Sequence, residues 1–152
     1  MTVRIGIISD THGLLRPEVL QVLKSCSHII HAGDVTRENL LDSLRILGNL
    51  YVVRGNCDTD EWAEGLRKIL HFKIENVRFV LTHEIWNVSS QDYKDADVVI
   101  FGHTHRYWEE WREGRLWLNP GSCGRSRYGE DVTMAVMEVS DGKFSIQKIV
   151  LE

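Results

Sequence analysis

The stretch VRIGIISDTHG, residues 3–13, decides the fold of this chain. Its branched apolar residues, from Val3 to Ile8, predict a buried strand, and the polar residues that follow predict the loop in which the strand ends. Pro17 then suits the first turn of a helix, because proline is favoured at that position. A strand, a loop and an amphipathic helix in this order are typical of the unit that begins a parallel α/β sheet.

The same alternation continues as far as residue 56. Residues 28–31 predict a second strand, and Thr36 is expected to cap a helix that carries four leucines between residues 40 and 47. Residues 50–53 predict a third strand, which ends at Gly55 and Asn56. A β-α-β-α-β order of this kind implies a parallel sheet with right-handed crossovers.

After Trp62 the pattern changes to hairpins. Paired short strands flank the turn sequences Glu75-Asn76, Glu113-Gly114 and Asp141-Gly142, and they predict a mostly antiparallel region. A buried strand over 97–101 and a short helical segment over 90–96 complete it. The length of 152 residues suits a single domain over 1–152. The fold class is therefore α/β, with two packed sheets flanked by helices.

The composition of the chain argues against two classes of binding partner, extended nucleic acid and membranes. The chain has 18 basic and 22 acidic side chains, a formal charge of −4, which disfavours a broad face for extended nucleic acid. Its apolar runs are too short for a membrane span or a signal peptide, so no membrane partner is expected. The cysteines Cys26, Cys57 and Cys123 form no C-x-x-C pair, and we expect a reducing, cytoplasmic location.

Side chains that commonly bind metals follow five of the predicted strands. In open α/β sheets, ligands collect beyond the carboxyl ends of the strands, so these side chains are expected to meet at one edge. The neighbouring glycines at 13, 33, 55 and 102 are expected to allow tight turns. A lone histidine at a strand end is more often structural, and the prediction depends on the whole set. The set is Asp10, His12, Asp34, Asn56, His83, His103 and His105.

The order of these residues, D-x-H, G-D, G-N, T-H and G-H-T-H, resembles the metal-site pattern of the calcineurin-like metallophosphoesterases. The resemblance covers residues 3–122, and the short chain is most similar to the small YfcE-type phosphodiesterases. It implies a four-layer αββα sandwich of two mixed sheets that holds two divalent metal ions. By this resemblance, the first metal is held by Asp10, His12 and His105, Asp34 bridges both, and the second is held by Asn56, His83 and His103. Such ligands suit Mn²⁺, which we favour, as well as Ni²⁺, Zn²⁺ or Fe²⁺.

The resemblance also implies an activity. A hydroxide that bridges the two metals is expected to hydrolyse a small or nucleotide-like phosphodiester, without a covalent enzyme intermediate. Asn56, Cys57 and Asp58 are the expected catalytic residues, and Asn56 and Cys57 are expected to contact the substrate. Many relatives have histidine in place of Cys57, and a thiol, largely neutral near pH 7, is a poor charged donor. This favours diesters with good leaving groups, unless Cys57 is merely a tolerated small side chain.

Two other functions stay open. A retromer subunit of the same fold serves as an interaction scaffold, and a phosphomonoesterase would use the same ligands. The complete ligand set favours an enzyme over a scaffold.

Several further residues allow more than one interpretation. The arginines at 54, 125 and 127 either contact phosphate or are solvated, and Glu84, Trp86 and Tyr93 either face the substrate or cover the core. The aromatic residues of the hairpin over 106–118 are expected to pack a sheet first, to form a subunit contact second and to stack on a base third. A homodimer or a higher oligomer is thus one possible assembly.

Overall fold

The apolar run after the N-terminus forms β1 (Val3–Ile8), the central strand of the first of two five-stranded sheets. The computed structural model describes residues 1–125 and 129–151. In the first sheet the strand order is β10-β9-β1-β2-β3; β1, β2 and β3 are parallel, and β9 runs antiparallel to β1. The helices α1 and α2 make the two crossovers. The bounds are α1 (Pro17–Leu23), β2 (His28–His31), α2 (Glu38–Leu47), β3 (Asn49–Val52), β9 (Thr133–Ser140) and β10 (Lys143–Val150).

The second sheet has the order β4-β5-β6-β8-β7. Its strands are β4 (Ile69–Ile74), β5 (Val77–Thr82), β6 (Val98–Ile100), β7 (Tyr107–Arg112) and β8 (Arg115–Pro120). The predicted hairpins β4-β5, β7-β8 and β9-β10 are all present. However, β5, β6 and β8 are parallel to one another, so the expectation of a mostly antiparallel region is wrong for the centre of this sheet. The segments that join these three strands cross over and return the chain to the same direction.

The two sheets pack face to face through a shared apolar core. Ile5 and Ile7 of β1 lie in one cluster with Phe79 and Leu81 of β5 and Ile100 of β6, and all five side chains are buried. Alternate residues of a strand point to opposite faces, which is why residues two apart enter the same core. The expectation of two packed mixed sheets is confirmed.

The outer layers of the molecule are unequal. The helices α1 and α2 cover the first sheet with a buried apolar cluster that includes Leu23 and Leu44. The second sheet is covered by a 3-10 turn (Ile85–Asn87) and one short helix, α3 (Ser90–Tyr93), so the predicted helical segment 90–96 ends early. Within the described part of the chain, α2 is the longest helix, with 10 residues, and no helix is long and apolar enough to cross a membrane.

Thr36 does not cap α2, and this prediction is wrong. The helix begins at Glu38, and its N-cap residue is Arg37, whose side chain makes no capping hydrogen bond. Thr36 instead has a left-handed backbone (φ 67°), and its N–H donates to Asp58 Oδ1 at 2.8 Å. A hydrogen bond to a distant carboxylate thus shapes this loop, and the local capping pattern does not.

Candidate metal centre

The seven predicted ligands lie beyond the carboxyl ends of β1, β2, β3, β5 and β6, and the structure brings them together. Contacts between the two sheets show this directly. His83 Nε2, from the second sheet, lies 3.1 Å from Asp34 Oδ2 and 3.8 Å from Asp10 Oδ1, both from the first sheet. His105 Nε2 lies 3.3 Å from Asp10 Oδ1. The ligands therefore form one cluster across the edge where the sheets meet.

Asp10, Asp34 and His83 form the buried floor of this cluster, each at most 2% exposed. In both carboxylates one oxygen is held by the protein. Asp10 Oδ2 accepts from Ser9 Oγ at 2.6 Å and from the His103 N–H at 3.1 Å, and Asp34 Oδ1 accepts from the Cys57 N–H at 2.8 Å. The other oxygens, Asp10 Oδ1 and Asp34 Oδ2, lie 3.1–3.8 Å from histidine nitrogens. Each carboxylate is thus fixed in position while one oxygen stays available to a ligand.

Asn56, Cys57 and His103 form the rim, where the cluster opens to solvent. Asn56 Oδ1 lies 2.9 Å from His83 Nε2 and 3.1 Å from His103 Nδ1. The thiol of Cys57 shares a possible ligand group with His12 and Asp34. The rim therefore joins the buried floor through Asn56 on one side and Cys57 on the other.

The hydrogen bonds of His83 test whether these residues fit a cation. His83 Nδ1 lies 2.7 Å from Ala32 O, a carbonyl that can only accept, so Nδ1 carries the proton of that bond. In the neutral ring, Nε2 and Asn56 Oδ1 are then two acceptors 2.9 Å apart. A proton or a metal ion between such groups relieves the repulsion. His83 is therefore oriented to present its Nε2 lone pair to a cation.

Two further observations support the same fit. Within the described residues, Asp10 Oδ1 and His12 Nε2 are buried and have no hydrogen-bond partner. Buried polar atoms are almost always hydrogen-bonded, so two unpartnered atoms that face each other at 3.8 Å fit a shared cation. Carboxylate, amide and imidazole donors suit a first-row divalent metal, and the residues present therefore fit the implied ions.

The electrostatics of the floor also favour the binding of a cation. Burial by itself raises the pKa of Asp10, but contacts with His105 and His12 outweigh it and hold that pKa well below its ordinary value. Burial likewise raises the pKa of Asp34, and His83 lowers it below the ordinary value. For His83, burial lowers the pKa, and the nearby Asp34 and Asp10 raise it above the ordinary value. Both carboxylates stay ionised, and the cluster attracts positive charge.

Backbone strain is concentrated at the same residues. Five of the seven predicted ligands have left-handed backbone conformations, which bulky residues with a Cβ rarely adopt. Such conformations cluster at functional sites, because the surrounding structure must enforce them. The turns let neighbouring side chains of the D-x-H and H-x-H pairs point at one cluster. The five are Asp10 (φ 55°), His12 (φ 47°), Asp34 (φ 60°), His103 (φ 78°) and His105 (φ 64°).

Gly55 and Gly102 leave room for the carboxylates of the floor. They were expected to allow tight turns, but neither has a positive φ. A Cβ atom at Gly55 would collide with Asp34 Oδ1, and one at Gly102 would collide with Ser9 Oγ and lie 2.8 Å from Asp10 Oδ2. These glycines let the backbone approach the two floor carboxylates closely.

Asp58 lies beneath the rim and is 1% exposed. Its Oδ2 accepts from the N–H groups of Asp34 (3.0 Å) and Gly55 (2.8 Å), and its Oδ1 accepts from Thr36 N–H (2.8 Å). These contacts favour a role in positioning the loops after β2 and β3. The catalytic role expected for Asp58 stays a prediction that its contacts do not favour.

His31 matches no position of the metal-site pattern, yet it connects two ligand-bearing loops. Its Nδ1 accepts from the Gly33 N–H at 3.1 Å, so its Nε2 is free to donate to Thr11 Oγ1 at 3.0 Å. Burial lowers the pKa of His31 to about 4, and the ring is neutral near pH 7. The sequence offers one signal for this role. His31 ends a strand, and it stands two residues before Gly33.

The remaining candidates are divided between the site and the core. Arg54, whose Nε donates to Asp58 O at 3.0 Å, lines a cavity of about 220 Å³ beside Asn56, together with Lys68 and Glu84. Trp86 is 64% exposed and packs its ring edge-to-face with His103, whereas Tyr93 packs on Trp117 over the second sheet. Arg125 is exposed, and Arg127 lies outside the described residues.

Comparisons with known proteins identify the family of this chain. Residues 3–142 match the calcineurin-like phosphoesterase superfamily domain. A probable metallophosphoesterase of Methanothermobacter thermautotrophicus is 37% identical over 95% of this chain and 91% of its own. Among solved structures, an archaeal phosphodiesterase has a TM-score of 0.75 at 24% identity, covering 97% of this chain and 99% of that one.

A zinc complex of Vps29 from Entamoeba histolytica has a TM-score of 0.73 at 23% identity, covering 98% of this chain and 99% of that one. At such identities, likeness to the two solved structures shows the fold alone. The family match and the identity with the Methanothermobacter protein go further. The chain belongs to the calcineurin-like phosphoesterase superfamily.

Proposed function

We propose that this protein is a phosphodiesterase that uses two divalent metal ions, with Mn²⁺ favoured, to hydrolyse a small or nucleotide-like phosphodiester. One observation carries the proposal. Each floor carboxylate has one oxygen held by backbone or hydroxyl donors, and its other oxygen turns towards histidine nitrogens from both sheets. An ion pair network built only for stability would not leave Asp10 Oδ1 and His12 Nε2 buried without hydrogen bonds.

The ligand assignment follows the contacts. Asp10 with His12 and His105 would hold one metal ion, and Asn56 with His83 and His103 would hold the other. Asp34 Oδ2 lies 3.5 Å from His12 Nε2 and 3.1 Å from His83 Nε2, so it faces both sets and suits a shared ligand. Two such ions, when bound, supply Lewis-acid stabilisation of phosphate oxygens and lower the pKa of water.

The chain's own residues would orient the phosphate. Asn56 is exposed at the rim, and its Nδ2 group, which lies 3.6 Å from Cys57 Sγ, would donate a hydrogen bond to an entering phosphoryl oxygen. The Cys57 N–H holds Asp34 in place, so the backbone of residue 57 has a role that any side chain there preserves. The thiol offers no charged proton donor to a leaving oxygen, which supports a preference for diesters with good leaving groups.

A screen of metals against substrates tests the proposal. Protein stripped of metal is reloaded with Mn²⁺, Ni²⁺, Zn²⁺ or Mg²⁺ and assayed on aryl diesters, aryl monoesters, cyclic nucleotides and dinucleotides. We expect diester hydrolysis that depends on the added metal, with close to two ions bound per chain. A clear preference for monoesters would instead support a phosphomonoesterase that uses the same ligands.

An interaction scaffold is the second candidate, and its support is the fold shared with Vps29. The two candidates differ in what they need from the site. An interaction scaffold does not need floor residues that are held in position as metal ligands, whereas a metal-dependent enzyme requires them. Absence of turnover with every metal and substrate of the screen, from protein that binds metal, would favour the scaffold. A cytoplasmic location and a homodimer stay predictions.

A further inference from the structure

The exposed face of Trp86 flanks the rim of the site. Trp86 lies in the 3-10 turn after His83 and is 64% exposed. Its ring meets the ring of His103 edge-to-face, with the centroids 5.2 Å apart. Because burial of an indole is strongly favourable, one left largely in water beside a polar site has a face available to a ligand.

We infer that Trp86 is a stacking platform for the nucleobase of a nucleotide-type phosphodiester. This inference rests on the proposed function and names a substrate class for it. His103 Nδ1 lies 3.1 Å from Asn56 Oδ1, so one imidazole ring separates the indole from the point where a phosphate would enter. In a nucleotide one sugar ring separates the phosphate from the base. A base can therefore reach the indole while its phosphate occupies the rim.

The other exposed tryptophans are partnered differently. Trp111 is 61% exposed, but one face of its ring stacks on Phe144, with the centroids 5.6 Å apart. Trp108 is 44% exposed and packs against Phe101 and the guanidinium of Arg112. Both belong to β7, and among residues 1–125 and 129–151 neither ring stacks on the ring of a predicted ligand. Trp86 is thus distinguished by its place at the rim, and Trp111 offers a control of similar exposure.

The cavity beside Asn56 carries both cations and carboxylates. It has a volume of about 220 Å³ and is lined by Arg54 and Lys68 as well as by Asp58 and Glu84. Glu84 lies two residues before Trp86. Nucleotide-binding surfaces that combine cations with an exposed aromatic ring hold the phosphate by charge and the base by stacking. Stacking tolerates every base, because each base has a π face, so we expect little preference among nucleobases.

Calorimetry with two phosphomonoesters, the product class of a phosphodiesterase, tests the platform by binding and not by turnover. Protein loaded with Mn²⁺ is titrated with AMP and with ribose phosphate, which lacks the base. We expect AMP to bind at least about fivefold more tightly, the lower end of the effect of one stacked base. Trp86→Leu should remove this difference, Trp86→Phe should keep most of it, and Trp111→Leu should leave it unchanged.

The outcomes separate this inference from the proposed function. Equal affinities for AMP and ribose phosphate in the native protein, with hydrolysis of aryl diesters intact, would overturn the platform and leave the phosphodiesterase standing. An AMP preference that depends on Trp86 without any hydrolysis would support the platform and contradict the activity. If Trp86→Leu changes only self-association in sedimentation, Trp86 is an interface residue and the platform is wrong.

Discussion

The floor and the rim of the site differ in how they are held. Asp10, Asp34 and His83 are buried, and each has at least one polar atom held by a backbone or hydroxyl group. At the rim, Asn56 and Cys57 are exposed, and within the described part of the chain the amide of Asn56 contacts the side chains of Cys57, His83 and His103. The floor is thus positioned by the fold, whereas the rim can change without disturbing the fold.

This difference indicates how the two regions divide the chemistry. Ligands locked by burial and hydrogen bonds suit a function that every substrate needs, such as binding metal. Exposed side chains at the rim would contact the part of the substrate that differs from one substrate to another. We therefore expect substitutions of the proposed metal ligands, in the floor or at Asn56 and His103 of the rim, to abolish activity, and substitution of Cys57 at the rim to alter selectivity.

The largest effect is expected from Asp34→Asn. Groups that merely orient a metal ligand reduce affinity or activity about 10–100-fold when lost, and Asp34 is proposed to contact both metals directly. Diester hydrolysis should therefore fall at least about a hundredfold, and the bound metal should drop below two ions per chain. Asp42→Asn, on the exposed face of α2, is the matched control. Full activity in metal-loaded Asp34→Asn would contradict the two-metal proposal.

Asp58→Asn tests whether a buried carboxylate below the rim holds the loops together. Asparagine keeps one acceptor oxygen, so at least one of the N–H donors of Asp34, Gly55 and Thr36 loses its partner. The free energy of unfolding should fall by about 2–3 kcal/mol, since an unsatisfied buried donor costs about 1–3 kcal/mol. Urea denaturation measures the loss, and the exposed Asp60→Asn should be nearly neutral. A similar small effect in both variants would refute the positioning role.

His31 predicts a pH dependence that belongs to the floor. Its folded-state pKa of about 4 lies below the ordinary 6.5, so between these values the unfolded chain binds a proton that the folded chain does not. Stability from this group is complete above about pH 6.5 and is lost as the pH falls towards 4, by up to about 3 kcal/mol. Unfolding of metal-free protein by urea, followed across this range, measures it.

His31→Gln removes the titrating ring and serves as the comparison for that measurement. The raised pKa of His83 acts in the opposite direction, because it adds stability as the pH falls. The informative quantity is therefore the difference in slope between the native protein and His31→Gln. Identical slopes would show that His31 does not contribute.

Cys57→His should have the smallest effect, and it concerns selectivity alone. An imidazole at this exposed position can donate a proton to a leaving oxygen. Turnover of monoesters or cyclic nucleotides should therefore rise several-fold, below the about 10²–10⁴-fold that a fully positioned general acid contributes. Unfolding in urea should be unchanged, because the Cys57 N–H still holds Asp34. Unaltered selectivity would mean that Cys57 is a tolerated small side chain.

The sequence was sufficient for features set by local pattern. The strand Val3–Ile8, the helix that starts at Pro17 and the three hairpin turns all follow from periodicity and turn residues. The gathering of the ligand residues was also predictable, because the carboxyl ends of parallel strands meet at one edge. These inferences needed no knowledge of which distant residues touch.

Features set by long-range contacts were missed. Thr36 resembles a helix cap, but the carboxylate of Asp58, 22 positions away, takes its N–H. The sequence around His31 does not indicate that its two ring nitrogens form hydrogen bonds with Thr11 and Gly33. The parallel pairing of β6 with β8 likewise depends on β7 folding back to the edge of the sheet. Each miss reflects a partner that sequence spacing cannot identify.

The left-handed backbone at five ligands has a consequence for how this fold can drift. An L residue in that conformation is disfavoured by about 1–2 kcal/mol relative to glycine, which adopts it freely. Glycine at His12 or His105 would therefore relieve backbone strain while deleting a metal ligand. Stability and catalysis are therefore opposed at these positions. In a descendant that no longer needs metal, substitution by glycine would be favoured, and the edge of the sheets would lose its metal ligands.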